Sequence, residues 1–453
     1  MSTDLTVVIP ARHEEENLRL LLPMLHRTLQ ALSITYEILV VDGGAGDSTT
    51  QIVEALGGRV ITQRLPGYGN ALKEGFQTAQ GTYVLTMDAD LSHEPRFIYK
   101  LWASRDQADL VIASRYVRGG VAYMPAWRKA LSRVLNRVFT KGLSMDVRDI
   151  SSGFRLYRTA VVRSLDVSGT HFDVLPELAV RAHIGGWRIL EVPFTYFPRV
   201  HGSSQARILL VGAHLMKTFT RLWGLRNSIQ AADYDERAFY SLVPVQRWWQ
   251  RKRHRIITMF ARDTGLTLDV GCGSSVILQS LNHAVGIEIR HEKMRYMRRY
   301  GVPLVTGSVF SLPFVNDAVE CVICSEVIEH IPPDPQIFVE LDRVLRPGGL
   351  LILGTPDYAT WAWPLIEAIY HRLMPGGYAD EHISHYTRRG LLGLLDAMGY
   401  QLVGERSIGR GELILCARKG ERAIRPEALG PFLPMLALGQ GAERAGADHA
   451  SPP

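Results

Sequence analysis

Two acidic residues separated by one alanine are the first feature of this sequence that could carry chemistry. Asp88 and Asp90 follow the apolar run "GTYVLTM", so they stand where a predicted strand ends. Two carboxylates at this spacing can reach one hard cation, and Mg²⁺ is usually held by one or two carboxylates together with substrate phosphates. Such a cation can bridge a diphosphate and stabilise it as a leaving group. We therefore predict a metal site at Asp88 and Asp90.

A second candidate site begins at residue 267 with "TLDVGCGSS", an apolar run that ends in glycines. Glycine lets the backbone approach a ligand closely. The third glycine of G-x-G-x-x-G is absent, which argues against a dinucleotide site. Glu288 ends the next apolar run, "AVGIEI", where a carboxylate can accept hydrogen bonds from both hydroxyls of a ribose. The chain is therefore expected to have a second ligand site.

Short β-rich runs alternate with helical stretches over residues 1 to about 200 and again from about residue 267. This rhythm predicts parallel sheets with helices on both faces, and ligands that bind beyond the carboxyl ends of the strands. We predict an α/β protein of two domains with a linker and a tail. The segments are a first domain at 1–230, a basic aromatic linker at 231–255, a second domain at 256–418 and a disordered tail at 419–453.

The composition describes an ordinary globular protein. Of its 453 residues 46% are hydrophobic and 21% charged, and the net charge of +6 fits nucleotides, anionic lipid or nucleic acid. Four cysteines suit a reducing compartment, and the C-x-x-C of Cys321 and Cys324 lies in an apolar run that predicts a buried strand rather than a metal site. The N-terminus does not read as a signal peptide, and no apolar run is long enough to predict a membrane span.

Six motifs of the first domain occur in a fixed order: "VVIPARHEEENL", "EILVVDGGAGDST", "DADLSHEP", "SRYVRGG", "SSGFRLYR" and "RVHGSS". Together they resemble the family 2 inverting glycosyltransferases of GT-A fold, and among these the polyprenyl- (dolichyl-) phosphate mannosyl- and glucosyltransferases. The resemblance covers about residues 4 to 230. It implies a GT-A nucleotide-sugar-binding fold, a GDP- or UDP-sugar donor and Mg²⁺ or Mn²⁺.

The resemblance also implies roles for particular residues. The residues expected to bind the nucleotide-sugar are Pro10, Glu14, Asp42, Asp88 and Asp90, with the last two holding the metal. The residues expected to act in catalysis are Asp90, Arg115 and Arg199; Arg115 is also expected to bind phosphate, and Arg199 to close over the donor diphosphate. The residues expected to bind the acceptor phosphate are Arg128 and Ser132. A phosphate monoester is already an anionic nucleophile, so cationic groups that offset its repulsion with the donor matter more than a general base.

Three segments could bring such an enzyme to an acceptor on a lipid. In 125–143 the basic residues recur every four positions along one helical face: Lys129, Arg133, Arg137 and Lys141. The segment 206–225 and the linker also combine basic and apolar or aromatic residues. Helices of this kind can lie in a bilayer interface, although a basic face over an ordinary core is the alternative. We expect a cytoplasmic protein, peripheral on the inner face of the membrane, and no nucleic-acid partner.

The second domain carries "LPF", "EVIEHI" and "RVLRPGG" in that order after "DVGCG". The series resembles class I S-adenosylmethionine-dependent methyltransferases over about residues 255 to 418 and implies a Rossmann-like fold. The residues expected to bind the cofactor are Asp269, Gly271, Cys272, Gly273, Glu288, Ser308, Val309 and Ser325. Glu326 is expected beside the methyl donor. An acceptor hydroxyl would need a base, for which the candidates are His330, His382 and His385.

These features predict a bifunctional enzyme. It would transfer a sugar from a nucleotide-sugar to a polyprenyl phosphate and a methyl group from S-adenosylmethionine to an unidentified acceptor. One alternative is a glycosyltransferase that acts on a saccharide or small-molecule hydroxyl and has a methyltransferase domain for the same product. Another is a scaffold with a degenerate methyltransferase domain, for which Ser308, in place of a frequent Asp, is the only hint.

Overall fold

A computed structural model describes residues 3–44, 46, 48–198, 208–373, 382–421 and 424–434. The chain divides into two compact units, Met1–Arg226 and Asn227–Pro453. Each unit contains a seven-stranded sheet with helices packed on it. The predicted class, two α/β domains, is confirmed.

The first unit alternates strands and helices. Its strands are β1 (Leu5–Ala11), β2 (Tyr36–Asp42), β3 (Arg59–Thr62), β4 (Tyr83–Thr86), β5 (Leu110–Ser114), β6 (Val121–Ala122), β7 (Arg155–Arg158), β8 (Ile189–Pro193) and β9 (Thr195–Tyr196). Its helices are α1 (Glu15–Ala31), α2 (Thr49–Ala55), α3 (Tyr68–Thr78), α4 (Ile98–Ala103), α5 (Ala126–Gly142), α6 (Thr159–Ser164), α7 (Val174–Ile184) and α8 (Ile208–Asn227).

The first sheet has the strand order β3-β2-β1-β4-β7-β5-β8. β1 pairs in parallel with β2 and β4, whereas β7 is antiparallel to both of its neighbours. The sequence analysis missed β7, because "RLYR" carries two arginines and does not read as an apolar run. Arg155 is nevertheless fully buried, since its guanidinium donates hydrogen bonds to the backbone oxygens of Ile150, Ser152 and Leu175.

Both faces of the first sheet are covered, which explains the nearly continuous apolar runs of its central strands. Val8 packs in a core cluster on one face, with side chains of α3, α7 and α8. Val7 and Ile9 pack in a second cluster on the other face, with side chains of α1 and α4.

The second unit begins with helices and ends with an antiparallel hairpin. Its strands are β10 (Thr267–Val270), β11 (Ala284–Glu288), β12 (Leu304–Thr306), β13 (Val319–Ser325), β14 (Leu345–Pro356), β15 (Gln401–Ile408) and β16 (Glu412–Arg418). Its helices are α9 (Tyr234–Phe239), α10 (Pro244–Ala261), α11 (His291–Met297), α12 (Pro335–Val344), α13 (Ala362–Leu373) and α14 (Arg388–Ala397). The strand order is β12-β11-β10-β13-β14-β16-β15, and β10 pairs in parallel with β11 and β13.

Two predicted segments differ from expectation. Residues 231–255 were expected to be a helical linker. They do form α9 and most of α10, but they belong to the second unit, and Ile256 and Ile257 farther along α10 are buried in one of its core clusters. The tail was expected to be disordered, yet residues 424–434 carry two short 3₁₀ turns. Leu429 in this segment is fully buried in the core of the second unit, which supplies the apolar contact that fixes it.

Cys321 and Cys324 lie fully buried in β13, as predicted for an apolar strand. No helix among the described residues combines the length and the apolar character that crossing a bilayer requires.

Candidate functional site

The carboxyl ends of β1, β2 and β4 lie side by side at one edge of the first sheet. The strand register sets Ala11 beside Asp42, and the amide of Gly43 donates to the backbone oxygen of Ala11 at 2.8 Å. Asp88 and Asp90 follow β4, so they lie at the same edge. Ligands of open α/β sheets bind at such an edge.

Asp88 is held by a tyrosine and a histidine that the sequence analysis did not single out. The hydroxyl of Tyr68 donates to Asp88 Oδ1 at 3.0 Å, and His93 Nε2 lies 3.8 Å from Asp88 Oδ2. Burial and the charge of Asp88 raise the pKa of Tyr68 well above its ordinary value. A Cβ on Gly153 would come within 2.8 Å of the Tyr68 hydroxyl, so the glycine of "SSGF" leaves room for this cluster.

Asp90 is buried, and its Oδ1 accepts a hydrogen bond from the amide of Ser92 at 3.1 Å. The Ser92 hydroxyl is also buried and has no hydrogen-bond partner among the described residues. Two carboxylates and this hydroxyl are the hard oxygen donors that suit Mg²⁺ or Mn²⁺. Over the described ranges, no third carboxylate, imidazole or thiolate joins Asp88 and Asp90 in one ligand group. A cation bound here would therefore complete its coordination with water or substrate phosphates.

The three residues predicted to contact the nucleoside lie at the ends of β1 and β2 and at the start of α1. Asp42 is buried, and its Oδ1 accepts from the amide of Gly44 at 3.0 Å. Glu14 Oε2 accepts from the side-chain amide of Asn17 at 2.6 Å. Pro10 lies in β1, one residue before the strand ends. The fold thus orients both carboxylates at the edge that holds Asp88 and Asp90.

Arg115 forms a two-point ion pair with Asp149. Its Nε lies 2.8 Å from Asp149 Oδ2 and its Nη2 lies 2.7 Å from Asp149 Oδ1, and Nη2 also donates to the Ser151 hydroxyl at 2.8 Å. Burial disfavours the charge of Asp149, but Arg115 outweighs this effect and the pKa of Asp149 is lowered. Arg115 was predicted to bind phosphate, whereas here its guanidinium is directed to a carboxylate.

The residues predicted to bind the acceptor phosphate lie on α5. Asn136 on this helix donates to the backbone oxygen of Ser132 at 2.8 Å and to the Ser151 hydroxyl at 2.9 Å, which connects Ser132 to the Arg115 network. Arg128 is exposed, with its guanidinium 5.2 Å from the ring of Trp127. Arg199 and the rest of "RVHGSS" (199–204) lie outside the described residues.

The two helices considered as membrane-binding segments differ in what covers them. On α5 four large apolar side chains are exposed, by 54%, 49%, 59% and 47% respectively: Trp127, Leu131, Val134 and Val138. On α8, Leu215 and Leu222 are buried in the core of the first unit, and the Thr218 hydroxyl donates to Asp173 at 3.0 Å. The described apolar side chains of α8 therefore pack mainly inward, whereas α5 presents an apolar stripe to solvent.

In the second unit the chain turns sharply after β10. Gly271 and Gly273 have φ angles of 66° and 55°, and a Cβ on Gly271 would lie 2.5 Å from Val327 Cγ2. The amides of Gly271 and Cys272 both donate to the backbone oxygen of Ile287 on β11. Close packing and a left-handed backbone explain why the turn is rich in glycine.

Glu288 ends β11 directly beside this turn. Its Oε2 accepts from the amide of Gly273 at 3.0 Å, and its Oε1 accepts from the amides of Ile289 and Arg290 at 2.8 and 2.9 Å. The structure thus brings together the glycines and the acid that were predicted to bind the methionine moiety and the ribose of one cofactor.

Asp269 and Asp235 make the glycine-rich turn strongly acidic. Burial, with the charges of Asp235 and Glu288, raises the pKa of Asp269 to about 8. Asp235 accepts from the amide and hydroxyl of Ser274 at 2.9 and 3.0 Å and pairs with Lys293 at 3.1 Å. The sequence analysis missed Asp235, because it placed this residue in a linker and nothing in the local pattern linked it to the turn.

The remaining predicted cofactor residues lie after neighbouring strands. Ser308 and Val309 follow β12, where the amide of Gly307 donates to the backbone oxygen of Glu288 at 3.3 Å. The Ser308 hydroxyl accepts from the amide of Phe310 at 3.3 Å. Ser325 ends β13, and its buried hydroxyl has no hydrogen-bond partner among the described residues. All predicted cofactor residues therefore lie at the carboxyl edge of the second sheet or in the loops that leave it.

A cavity of about 190 Å³ in the second unit is lined by α10, α13 and the loop after β13. Trp249 and Arg253 of α10 line it, and Arg253 pairs with Glu326 at 2.9 Å and with Glu412 at 2.6 Å. The basic aromatic segment that the sequence suggested for a membrane interface therefore forms part of a cavity wall. His382 also lines this cavity.

The three histidines considered as bases are connected to one another. The rings of His330 and His382 have centroids 4.7 Å apart. The ring of His385 stacks on Tyr358 at 3.8 Å, and the hydroxyl of this tyrosine lies 2.9 Å from His382 Nδ1.

Comparisons with known proteins agree with this division of the chain. The family model for Glycosyl transferase family 2 matches residues 6–166, and the family model named Methyltransferase domain matches residues 268–353. The solved structure of glucosyl-3-phosphoglycerate synthase from Mycobacterium tuberculosis with Mn²⁺ and uridine diphosphate has a TM-score of 0.40 and 20% identity; the match covers 49% of this chain and 80% of that one.

Two curated relatives resemble the first half of the chain. Dolichol-phosphate mannosyltransferase of Pyrococcus furiosus is 33% identical over 212 residues, which span 45% of this chain but only 59% of that protein. Polyprenol monophosphomannose synthase of Mycolicibacterium smegmatis is 33% identical over 245 residues, which span 50% of this chain and 89% of that protein. With its first unit the chain therefore belongs to glycosyl transferase family 2, and its second unit contains a methyltransferase domain.

Proposed function

We propose that the first unit transfers a sugar from a nucleotide-sugar to a polyprenyl phosphate. The observation that carries this proposal is the exposed apolar stripe of α5, which lies on the same helix as Arg128 and Ser132, the residues predicted to bind the acceptor phosphate. A lipid phosphate needs both a cationic site for its head and an apolar surface for its chain. Both curated relatives are named for mannose, so a mannosyl donor is the first to test.

The reaction that follows from this assignment needs little proton transfer. An anionic oxygen of the acceptor phosphate attacks the anomeric carbon of the sugar, and the bond from that carbon to the donor diphosphate breaks with inversion. Asp88 and Asp90 would hold a divalent cation, whose charge would offset the negative charge on the departing nucleoside diphosphate. Asp42 and Glu14 would position the nucleoside.

Arg115 receives a different role from the one that the sequence suggested. Because its guanidinium is held by Asp149 and Ser151, we assign it to positioning rather than to direct phosphate binding. The network runs from Arg115 through Ser151 to Asn136 on α5. This network would fix the position of α5 relative to the carboxyl edge of the sheet. Arg128 and Arg199 remain the proposed phosphate ligands.

We further propose that α5 binds the surface of an anionic bilayer. Its apolar stripe would enter the headgroup boundary, and basic residues of the same helix would contact lipid phosphates. Arg133, Arg137 and Lys141 are exposed and available for this role. This contact would place the enzyme peripherally on a membrane, at the depth where the phosphate of a polyprenyl phosphate lies.

For the second unit we propose methyl transfer from S-adenosylmethionine. Gly271, Gly273 and Glu288 would hold the cofactor, whose sulfonium supplies the methyl group. An acceptor oxygen would form the new bond to the methyl carbon as the carbon–sulfur bond breaks, which leaves S-adenosylhomocysteine and releases the acceptor proton. Orientation of the two partners can supply much of the rate of such an in-line displacement.

Acceptor competition tests the first proposal against a saccharide acceptor. Labelled GDP-mannose is offered to the full chain with polyprenyl phosphate and with an excess of free mannosides and other saccharides. The proposal predicts label in the lipid that the saccharides do not reduce. Label in the saccharides, with none in the lipid, would support the alternative. Calorimetry with S-adenosylhomocysteine tests the second unit, and absence of binding would sink its assignment.

A further inference from the structure

Three side chains converge beside the cofactor edge of the second sheet, and two of them are histidines that the sequence suggested as bases for the methyl acceptor. Glu329, His330 and His382 each offer one ligand atom, and these three atoms lie within 4.8 Å of one another. Bonds from such ligand atoms to one metal ion are about 2.1 Å long, and small rotations of the three side chains would bring their ligand atoms to that distance from a shared ion. We propose that these residues form a binding site for a divalent transition-metal cation.

The backbone fixes the three residues relative to one another. Glu329 and His330 lie in a 3₁₀ turn, Ile328–His330, that follows β13 after Glu326 with its φ of 58°. The amides of Ile383 and Ser384 both donate to the backbone oxygen of Glu329, at 2.9 and 3.0 Å. Two segments that are distant in sequence are thus joined at the point where their side chains meet.

Glu329 is the strongest indication that something is bound here. Its side chain is fully buried, and one oxygen accepts from the Thr355 hydroxyl at 3.1 Å. The other oxygen is buried without a hydrogen-bond partner among the described residues. A buried carboxylate is costly unless it is paired or coordinates a metal, and a cation would satisfy this oxygen.

The charge around the cavity also favours a cation. Among the described residues that line it, Arg253 is the one with a permanent positive charge. Arg253 faces two carboxylates, Glu326 and Glu412, and Glu367 is a further carboxylate of the lining. These three carboxylates outnumber the one guanidinium, and a divalent cation would offset the excess negative charge.

The ring of His382 is buried and is held in place by two neighbouring side chains. Its Nδ1 lies 2.9 Å from the Tyr358 hydroxyl, and its ring stacks on Trp363 at 5.8 Å. Contacts of this kind fix ring orientation in metal-ligating histidines.

The donor set indicates the kind of ion. Two imidazoles and one carboxylate suit Zn²⁺, Mn²⁺ or Fe²⁺, whereas Mg²⁺ and Ca²⁺ prefer oxygen alone. The Asp88 and Asp90 pair of the first unit offers only oxygen. The two proposed metal sites of the chain therefore differ in the side chains that they offer to a cation.

A role for the cation rests on the proposed methyl transfer. Glu326 follows Ser325 directly, at the end of β13 where the methyl donor is expected, and both Glu326 and His382 line the cavity. An acceptor in the cavity would therefore be near the donor and the cation. An acceptor oxygen that approaches a divalent cation loses its proton more readily, because the cation lowers the pKa of a coordinated hydroxyl. We therefore infer that the acceptor is an alcohol or phenol, methylated on oxygen.

Pulsed electron paramagnetic resonance of the full chain with Mn²⁺ tests the site directly. Mn²⁺ bound by imidazole shows coupling to nitrogen. Because His93 Nε2 lies 3.8 Å from Asp88 Oδ2, the variant Asp90→Asn is used to remove the contribution of the first-unit site. The proposal predicts nitrogen coupling in the wild type and in Asp90→Asn, with at least a tenfold weaker affinity in Glu329→Gln and His382→Gln. Zn²⁺ should displace the nitrogen-coupled ion, since it binds such donors more tightly than Mn²⁺.

Matched controls separate loss of the site from loss of the fold. Glu320→Gln and His283→Gln change exposed side chains of the same unit and should keep the nitrogen-coupled Mn²⁺. Binding of S-adenosylhomocysteine by each variant reports whether the unit is folded. Absence of nitrogen coupling in the wild type overturns the proposal. Coupling that survives in both Glu329→Gln and His382→Gln, when both variants are folded, also overturns it. Nitrogen-coupled Mn²⁺ without S-adenosylhomocysteine binding would support the metal site and overturn the methyltransferase assignment.

Discussion

Arg115 and Asp149 form a buried ion pair in which both nitrogens on one edge of the guanidinium meet both oxygens of the carboxylate, at 2.8 and 2.7 Å. The amide of Arg115 donates to the same carboxylate at 2.9 Å, so side chain and backbone are fixed together. The pair lies beyond the end of β5 and reaches α5 through Ser151. It links the strand edge that holds the proposed donor site to the helix that carries the proposed acceptor site.

Replacement of Asp149 by alanine should destabilise the first unit strongly. The change leaves the buried guanidinium of Arg115 unpaired, and the free energy of unfolding should fall by about 3–5 kcal/mol. Chemical denaturation measures this loss. The matched control is Glu320→Gln, which breaks the exposed pair with Arg346 and should cost at most about 1 kcal/mol.

The same pair predicts how stability depends on pH. The folded-state pKa of Asp149 is lowered, so its contribution is present above the unfolded-state pKa and is lost as the pH falls through the folded-state value. The difference in unfolding free energy between wild type and Asp149→Ala should therefore shrink in acid. A difference that stays constant as the pH falls below 4 would contradict this account of the pair.

Asp269 predicts a pH dependence of opposite sign in the second unit. Its folded-state pKa is about 8, above the ordinary value near 4, so the folded state holds an extra proton between these limits. This group therefore lowers stability progressively as the pH rises from 4 to 8. Asp269→Asn should remove that component, and thermal unfolding at several pH values measures it. An identical pH profile in wild type and variant would show that Asp269 does not titrate in this range.

Gly271 should be essential for binding of the cofactor, and Gly301 provides a matched control for the effect of backbone strain. Both glycines have φ near 65°, but a Cβ on Gly271 meets Val327 at 2.5 Å whereas a Cβ on Gly301 meets nothing within 4 Å. Gly271→Ala should lower the affinity for S-adenosylhomocysteine at least tenfold by calorimetry. Gly301→Ala carries similar backbone strain without the clash and should keep the affinity. Equal losses in both variants would attribute the effect to backbone strain alone.

The exposed stripe of α5 should be required for membrane binding but not for folding. The double variant Leu131→Ser, Val134→Ser should reduce co-sedimentation with anionic vesicles, because it removes two apolar side chains that would be buried in the bilayer. Its thermal stability should stay nearly unchanged. The control is Met216→Ser on α8, which is 60% exposed and should have no effect. Equal vesicle binding by the α5 variant and the wild type would rule out this helix as the docking surface.

The residues predicted correctly as neighbours are those that follow parallel strands. Asp88 and Asp90 after β4, and Gly271 and Glu288 at the ends of β10 and β11, stand beside apolar runs that the sequence shows plainly. Since such strands end at one edge of a sheet, recognising the strands was sufficient to group the residues. The roles of these residues remain predictions.

The residues that the sequence did not reveal depend on contacts between distant segments. Asp149 meets Arg115 across 34 positions and Asp235 meets Ser274 across 39, and neither acid stands at a strand end. Composition also misled the interpretation of residues 231–255, because paired tryptophans and basic residues suit a membrane interface and a ligand cavity equally well. Similarly, α5 and α8 both look amphipathic, and only packing shows that the described apolar residues of α8 are largely covered.

Transfer of labelled sugar into an organic-extractable lipid tests the central claim most directly. The full chain is incubated with GDP-[¹⁴C]mannose, polyprenyl phosphate and Mg²⁺ or Mn²⁺, beside Asp90→Asn and the control Asp106→Asn, whose side chain is 67% exposed. The account predicts metal-dependent label in the lipid for wild type and Asp106→Asn, with at least a hundredfold loss in Asp90→Asn. Two results would contradict this account. One is lipid label that Asp90→Asn retains. The other is no lipid label with any GDP- or UDP-sugar tried, although the donor is still hydrolysed.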